Sequence, residues 1–516
     1  MAEGGVNVAL GNVDPQDNWE VHFKDTVTGG AYLNNQRLVE ILVKEGPERI
    51  FDLEEYGAVF DRTHEGKIAQ RPFGKQTYRR TCYASDRTGH ELMATLVEEV
   101  RRRNIDVMEE VFVTNLLKSN GRVVGAFGID YKTGDFLLFR AKATVMAAGG
   151  TGRVYKITSN ASQDTGDGYA MGYRAGATLM DMEMFQFHPT GMLTPESARG
   201  ILVTEAVRGE GGILTNANSE RFMKRYDQRL ELAARDVVAR SIATEILEGR
   251  GTPKGGVYLS VSHLDPTIIE QRLKTMLKQF LDTGVDIRKE PMQVAPTAHH
   301  EMGGLLVDEN AATDLKGMWA AGEVVGGIQG GNRLGGNALL DTQVYGKRAG
   351  ENAAEYAKSS QAAAIDRKDV EKEMKYAESF RSKKDGVRPV EVRNRLAGLM
   401  WEKVGIFRTR NELQEAVSEI ERIRKEQVLR MYVSDNGARY NHEWIKALEA
   451  ENLVLTAEMI TKAALMREES RGAHYRRDFP KTDNKNWLAS ITIRQEDGVM
   501  KLGKIPVTVT LLKPEA

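Results

Sequence analysis

The chain has 516 residues, 41% hydrophobic and 28% charged, with a formal net charge of −1; that length calls for about two to four domains, and the charge balance gives no reason to expect nucleic acid or an anionic membrane surface. Its one cysteine, Cys82, excludes an internal disulfide and an iron–sulfur cluster held by this chain alone, so a reducing, cytoplasmic setting is expected. No apolar run reaches the roughly 18 residues of a membrane span, and the N-terminus carries no signal-peptide pattern.

The first stretch is MAEGGVNVALGN, in which Gly4 and Gly5 stand beside Asn7 before any strand or helix. A glycine pair of this kind lets a backbone approach a neighbour closely. Cys82, within RRTCYAS, has no general base beside it and is expected to be a packed thiol. Residues 111–150 read as a β-meander: VFVTNLL, a turn at Asn120-Gly121, VVGAFGI, a turn at Thr133-Gly134-Asp135, then FLLFRAKATVMAAGG. The last strand, 143–148, runs into Gly149-Gly150, the pattern of a buried parallel strand that ends at a backbone–ligand contact. Residues 184–295 mix short apolar runs, polar turns and one helix from Glu231 to about Glu248. Glycine-rich sequence returns at 303–337. Beyond it, Leu413, Val417, Ile420, Ile423 and Val428 fall near helical spacing with Asn411 as N-cap, and 443–467 repeat the pattern. Glu421 and Lys425 form an i,i+4 pair on the wet face of that first helix. A β-prone tail, LASITIRQEDGVMKLGKIPVTVTLL, closes the chain.

The glycine clusters GGTGR, TGDG, GEGG and GGNRLGGN contain no P-loop lysine and no G-x-G-x-x-G after a strand, which speaks against a triphosphate site. Each alone is most simply a tight turn. The polar residues set among them carry more. Asp167 in TGDG and Glu323 in AAGE suit ribose or ring hydrogen bonds, and Arg333 in GGNRLGG suits an anion. His188 lies in FQFHPTG, His299 beside His300 in PTAHHEMGG, Glu205 and Arg208 in VTEAVRGEGG, and Arg235 beside Asp236 at a helix start. Taken singly these are packed histidines and ordinary charge pairs.

Taken in order, AEGGVNVALGN, DRTGHEL, AAGGTGRVY, TGDGYAMGYRAGA, FQFHPTG, VTEAVRGEGGIL, ERFMKRY, ARDVVARSI, PTAHHEMGG, AAGE, GGNRLGGNALLD and ESRGAHYRRDFP closely resemble the flavoprotein subunit of succinate dehydrogenase and fumarate reductase. The motifs span Ala2 to Pro480, and the FHPTG, TEAVRGEGG and RDVVARS set is specific to the wider fumarate reductase and aspartate oxidase superfamily. The resemblance implies a Rossmann-like, glutathione-reductase-type α/β FAD-binding core with an inserted α+β capping domain, a C-terminal helical bundle and a small β tail. The boundaries expected are 1–183 and 296–355 for the FAD-binding parts, 184–295 for the cap, 356–475 for the helices and 476–516 for the tail. It also implies hydride transfer between flavin N5 and a four-carbon dicarboxylate. His188, Thr204, His299 and Arg333 match substrate-binding positions, and Phe73 of RPFGKQ matches the ring that lies over the substrate. Arg235 matches the proton donor, reloaded through Glu205 and Arg208. Arginine ordinarily keeps its proton, with a pKa above about 12, so this role requires brief transfer and an adjacent relay.

Gly4, Gly5, Asp167, Glu323, Ala338 and Leu339 match FAD contacts, and no metal site is expected. Ala338 stands where the family usually has serine, so one flavin hydrogen bond is lost or comes from the backbone. Lys75 and the arginine-bearing loop after it depart from the quinone-linked enzymes. The resemblance further implies an iron–sulfur partner protein, with fumarate reduction favoured and electrons from quinol or, as in methanogens, from coenzyme M and coenzyme B. L-aspartate oxidase is the alternative activity. A truncated, flavin-free structural relative is the alternative of another class. Its motivation is that the family's strand, G-x-G-x-x-G turn and helix, and the histidine that links flavin covalently in many members, are not written before Gly4. The expectation is therefore an N-terminally truncated core, non-covalent FAD, and a Met1 that is an internal methionine.

Overall fold

The structure, a computed structural model, describes residues 4–514; Ala2 of the first motif lies outside them. The chain lays down β1 (Val6–Asn7), α1 (Trp19–Gly29), α2 (Gln36–Glu55), β2 (Gln70–Arg71), β3 (Thr81–Cys82) and α3 (Thr88–Arg102). The three strands pair antiparallel, with Val6 opposite Cys82. The thiol is fully buried, and burial pushes its pKa up. Cys82 is a small packed hydrophobe.

The meander follows as β4 (Val111–Ser119), β5 (Arg122–Asp130) and β6 (Phe136–Arg140), all antiparallel. Asn120 and Gly121 turn the first hairpin with φ of 51° and 73°, the left-handed pair that a two-residue hairpin needs. Next come β7 (Thr144–Met146), α4 (Asp167–Ala175) and β8 (Leu179–Met180).

An inserted segment holds β9 (Phe185–Met192), α5 (Glu205–Gly209), β10 (Ile213–Thr215), α6 (Arg235–Leu247), β11 (Val257–Ser260), α7 (Pro266–Arg272), α8 (Lys274–Leu281) and β12 (Met292–Glu301). Its strands form one antiparallel sheet in the order β10-β11-β12-β9. An apolar cluster of its own, including Leu214, Val238, Ile242, Leu259 and Met292, is separate from the main core. The helix expected from Glu231 starts at Arg235 instead. Leu230–Leu232 form a tight turn, and Ala233 and Ala234 then take extended backbone with ψ of 168° and 146°, so helical geometry cannot begin before Arg235. Arg235 thereby lies in the first turn of α6.

The chain returns through β13 (Gly304–Leu305), β14 (Met318–Ala320) and α9 (Asn337–Ser359). β14 runs parallel to β7, as expected for the strand at 143–148. That strand is not buried throughout, however. Val145 is 40% exposed, and β14 is its only ladder partner among the described residues.

Helices α10 (Arg367–Ser382), α11 (Pro389–Lys403), α12 (Arg410–Arg422) and α13 (His442–Met466) form a bundle. α13 is buried on nearly every face and is its central member. Two local expectations are corrected here. The N-cap of α12 is Thr409, whose Oγ1 accepts from Glu412 N–H at 3.3 Å, because Asn411 is already helical. Glu421 pairs with Lys462 of α13 at 3.2 Å rather than with Lys425, because a π-turn over Ile423–Gln427 breaks the i,i+4 register. After α14 (Asn484–Trp487), β15 (Ala489–Glu496) and β16 (Val499–Pro506) form a hairpin whose first strand adds to β8. Arg467, fully buried at the end of the bundle, meets Glu183 at 2.6 Å, Glu469 at 2.9 Å and Asp181 at 3.5 Å. That junction holds the bundle to the segment just after β8. No helix among the described residues is long and apolar enough to cross a membrane.

Candidate active site

A cavity of about 320 Å³ lies where the inserted segment meets the rest of the molecule. Its wall includes Gly4, Gly5, Phe73, His188, Thr204, Glu205, Arg235, His299, Glu323, Arg333, Ala338 and Leu339. Residues scattered over more than three hundred positions of sequence thus meet in one place, and local backbone features aim them. β9 and β12 are ladder neighbours, with Thr297 opposite His188. A bulge between Ala298 and His300 leaves His299 out of the ladder and turns it toward the cavity. The His188 and His299 rings then lie 5.1 Å apart. Lys75, in the departing loop, takes a φ of 69° and donates its N–H to Leu232 O at 3.1 Å. That bond ties the Phe73 loop to the turn that starts α6.

On one side of the cavity three charges run inward. Arg235 donates Nε to Glu205 Oε2 at 2.8 Å, and its Nη2 donates to the same oxygen. Glu205 Oε1 accepts from Gly74 N–H at 2.9 Å and lies 3.7 Å from Arg208 Nη2. Arg208 does not line the cavity; it is fully buried behind Glu205 and donates Nη1 to Glu231 O at 2.8 Å. Burial alone would raise the Glu205 pKa, but the Arg235 and Arg208 guanidiniums outweigh it and hold the group at about 2. Glu205 is therefore a carboxylate linking two guanidiniums. It can pass a proton but does not store one.

Beside this line, Arg333 has no carboxylate in ion-pair contact among the described residues. His188 Nε2 and Arg333 Nε are buried with no hydrogen-bond partner. Burial and the neighbouring Arg235 lower Arg333 to about 9. Burial also lowers His188 and His299 well below the usual imidazole range, so both rings are neutral near pH 7. Ser159 Oγ lies 2.8 Å from His299 Nδ1, and Asn160 Nδ2 donates to His299 O at 2.9 Å, which fixes that ring. Thr204 Oγ1 accepts from Ala206 N–H at 3.4 Å and also faces the cavity. Neutral imidazoles and an uncompensated guanidinium make a site that a small dicarboxylate would satisfy.

The remaining wall suits a flat cofactor. A methyl group on Gly4 would lie 2.9 Å from Phe73 Cζ, and one on Gly5 would lie 2.5 Å from Thr81 Cγ2. Both positions thus need glycine to pack against their neighbours while their backbone faces the cavity. Ala338 and Leu339 stand in the first turn of α9, which has no side-chain cap because Gly336 precedes it with a φ of 89°. The open N–H groups of that turn favour an electron-rich ring edge. Ala338 itself offers only a methyl group, so any hydrogen bond there comes from the backbone. Glu323 accepts from Glu301 N–H at 3.0 Å and faces His300 Nδ1 at 3.1 Å. A second cavity, of about 840 Å³, shares Leu339 and Thr342 with the first and extends the trough. These residues fit an elongated cofactor such as FAD.

Asp167 is the exception among the expected cofactor residues. It does not line the cavity; its carboxyl accepts from Asn452 Nδ2 at 2.6 Å and Thr165 Oγ1 at 2.8 Å. As the first residue of α4 it is drawn toward α13, and burial raises it to about 6. Sequence reasoning also missed participants. Gln186 touches both Arg235 and Arg333, and Asp341, Ser159 and Asn160 line the cavity. Gln186 was within reach, since it stands two residues before His188 and strand alternation puts both on one face.

Residues 1–339 match the FAD binding domain family, and residues 393–516 match the fumarate reductase flavoprotein C-terminal family. The chain is 54% identical over 497 residues to a subunit of the fumarate reductase (CoM/CoB) of Methanothermobacter marburgensis, covering 96% of this chain and 90% of that one. It is 38% identical over 539 residues to the succinate dehydrogenase flavoprotein subunit of Rickettsia bellii, covering 100% and 89%. Its fold superposes on a chain of E. coli quinol fumarate reductase with a TM-score of 0.93 at 33% identity, over 100% of this chain and 91% of the other.

Proposed function

We propose, from the premise that this chain belongs to the flavoprotein family of succinate dehydrogenases and fumarate reductases, that it interconverts fumarate and succinate at the cavity described, with reduction of fumarate the working direction. The observation that carries the reading is the Arg208–Glu205–Arg235 line ending at a cavity whose wall also holds an Arg333 with no carboxylate in ion-pair contact and an unpartnered His188 Nε2. FAD, when bound and reduced by the electron donor, would supply the hydride to one carbon of the double bond. Arg333, His188, His299 and Thr204 take the two carboxylates, which orients that bond and withdraws electron density from it. Phe73, 2% exposed, closes the site against water. Arg235 gives a proton to the second carbon, and Glu205 passes one outward from the Arg208 side to restore it.

The iron–sulfur partner and a cytoplasmic setting belong to the same proposal. The 54% identical relative, named for coenzyme M and coenzyme B, supports a thiol donor over quinol. The division into 1–183, 184–295, 296–355, 356–475 and 476–516 is proposed with it; the separate apolar cluster between Met192 and Val294 supports the inserted part. These relatives give L-aspartate oxidation no support, and the match to an FAD binding domain family speaks against a flavin-free relative.

The test is fumarate reduction by the FAD-loaded protein with reduced viologen as donor. Arg235→Gln is expected to lower kcat at least about 1,000-fold with KM changed only a few-fold, since it removes an interaction used in the transition state. An Arg235→Lys enzyme that binds FAD and keeps most of its turnover would overturn Arg235 as the donor.

A further inference from the structure

One side chain behind the cavity wall touches both arginines that face the substrate. Gln186, on β9, is 1% exposed and does not line the cavity. Its Oε1 accepts from Arg235 Nη1 at 3.0 Å and from Arg333 Nη2 at 3.3 Å. Its Nε2 donates to Arg333 O and to Asn332 Oδ1, each at 2.8 Å. Asn332 in turn donates Nδ2 to Asp236 Oδ1 at 2.8 Å, and Asp236 Oδ2 accepts from Arg240 Nη2 at 2.8 Å.

Every bond in this chain has one possible direction. Guanidiniums only donate, while a backbone carbonyl and a carboxylate only accept, so neither amide can turn over. The arrangement answers an electrostatic need. Glu205 pairs with Arg235 and faces Arg208, which leaves Arg333 without a carboxylate partner. The Gln186 carbonyl is the only hydrogen-bond acceptor that the Arg333 guanidinium has among the described residues. The path also crosses between parts of the molecule: Asp236 and Arg235 stand on α6, Gln186 on β9, and Asn332 with Arg333 on the loop before α9.

We infer that Gln186 and Asn332 form a positioning relay that sets the spacing and aim of the proton donor Arg235 and the carboxylate clamp Arg333, and ties both to Asp236. The relay rests on the fumarate reductase reading above. It makes the two arginines one unit, so that a shift of α6 moves donor and clamp together. The ionisable groups around Arg333 are Arg235, Glu205, Glu323 and Asp341, with His299 and His300 beside it. A carbonyl oxygen accepting from a guanidinium favours its charged form, so losing that oxygen lowers the pH at which the clamp loses its proton.

The experiment uses the FAD-loaded protein, reduced viologen and fumarate, with kcat and KM measured from about pH 6 to about pH 10. Gln186→Met keeps the volume and removes both polar ends. It is expected to lower kcat about 100-fold, because misplacement of a reacting group by about 1 Å costs that much. KM should rise several-fold, and the alkaline limb of kcat/KM should move to lower pH. Asn332→Ala leaves Gln186 in place but removes one of the two acceptors of its amide and the tie to Asp236, and should shift the same quantities by about 10-fold in kcat. It also serves if Gln186→Met fails to fold or to bind FAD. Variants that keep kcat/KM within about two-fold overturn the relay, as does a loss that only tracks lost FAD with the alkaline limb unmoved. A wild-type holoprotein that does not reduce fumarate overturns the functional reading, and the relay with it.

Discussion

A methyl group at Gly335 would lie 2.6 Å from Glu205 Oε2 and 3.2 Å from Arg235 Nη2. Neither atom can yield without disturbing the bond that holds the proton donor, for Nη2 and Nε of Arg235 both end on that one oxygen. Gly335→Ala is therefore expected to lower kcat for fumarate at least about 10-fold while FAD content is unchanged, read by steady-state kinetics and flavin absorbance. The glycine cluster at 330–337 thus does more than turn the chain: Gly335 leaves room for an ion pair, and Gly336 supplies the left-handed φ from which α9 starts. Asp167, in another cluster, shows the opposite case. A carboxylate among glycines was expected at the cofactor; Asp167 does not line the cavity and accepts a hydrogen bond from Asn452 of α13.

At the scale of elements, helix α8 is capped by a residue from a distant part of the chain. Asp86, fully buried between β3 and α3, accepts from Thr275 Oγ1 at 2.6 Å, Thr275 N–H at 2.7 Å and Met276 N–H at 3.1 Å. Open N–H groups at a helix start are usually satisfied from the preceding residues. Here they are satisfied across the boundary between the inserted segment and the body, so the cap also clasps the two together. Asp86→Ala should cost about 2 kcal/mol, the upper range for a lost cap. The expected readings are a lower Tm and faster proteolytic cleavage within 262–284. A variant cut no faster than wild type would show that the other contacts along this boundary hold it closed. The β9–β12 pair makes the same point by other means, since one bulge in the ladder aims His299.

For the whole molecule the decisive property is the charge balance of the cavity. Burial, and after it the neighbouring Arg235, lower Arg333 from the ordinary arginine range to about 9. Its charged form is thus disfavoured in the free protein. It is retained below about 9 and lost above it, and a bound dianion shifts the balance back toward charge. Malonate, a non-reactive dianion, is expected to raise Tm at pH 7 and to do so much less near pH 10. At a concentration of about 100 Kd the stabilisation at pH 7 should approach 2.7 kcal/mol. Arg333→Ala should abolish the difference between the two pH values. An equal malonate shift at both pH values in wild type would refute Arg333 as the clamp.

Much of this protein was determined by the sequence alone. The meander and its Asn120-Gly121 turn and the helical texture after Gly350 follow from local pattern, which is what short stretches encode, while His188, Glu205, Arg235, His299 and Arg333 stood out as candidates through the resemblance of their motifs to the family. Tertiary structure decided what depends on partners far away in sequence. It started α6 at Arg235 rather than Glu231, moved Asp167 away from the cavity, paired Glu421 with Lys462, and placed Gln186 between two arginines. The reason is physical. Periodicity and capping patterns record how a residue relates to neighbours a few positions away. Burial, charge compensation and the direction of a hydrogen bond are set by groups that only the closed fold brings within reach.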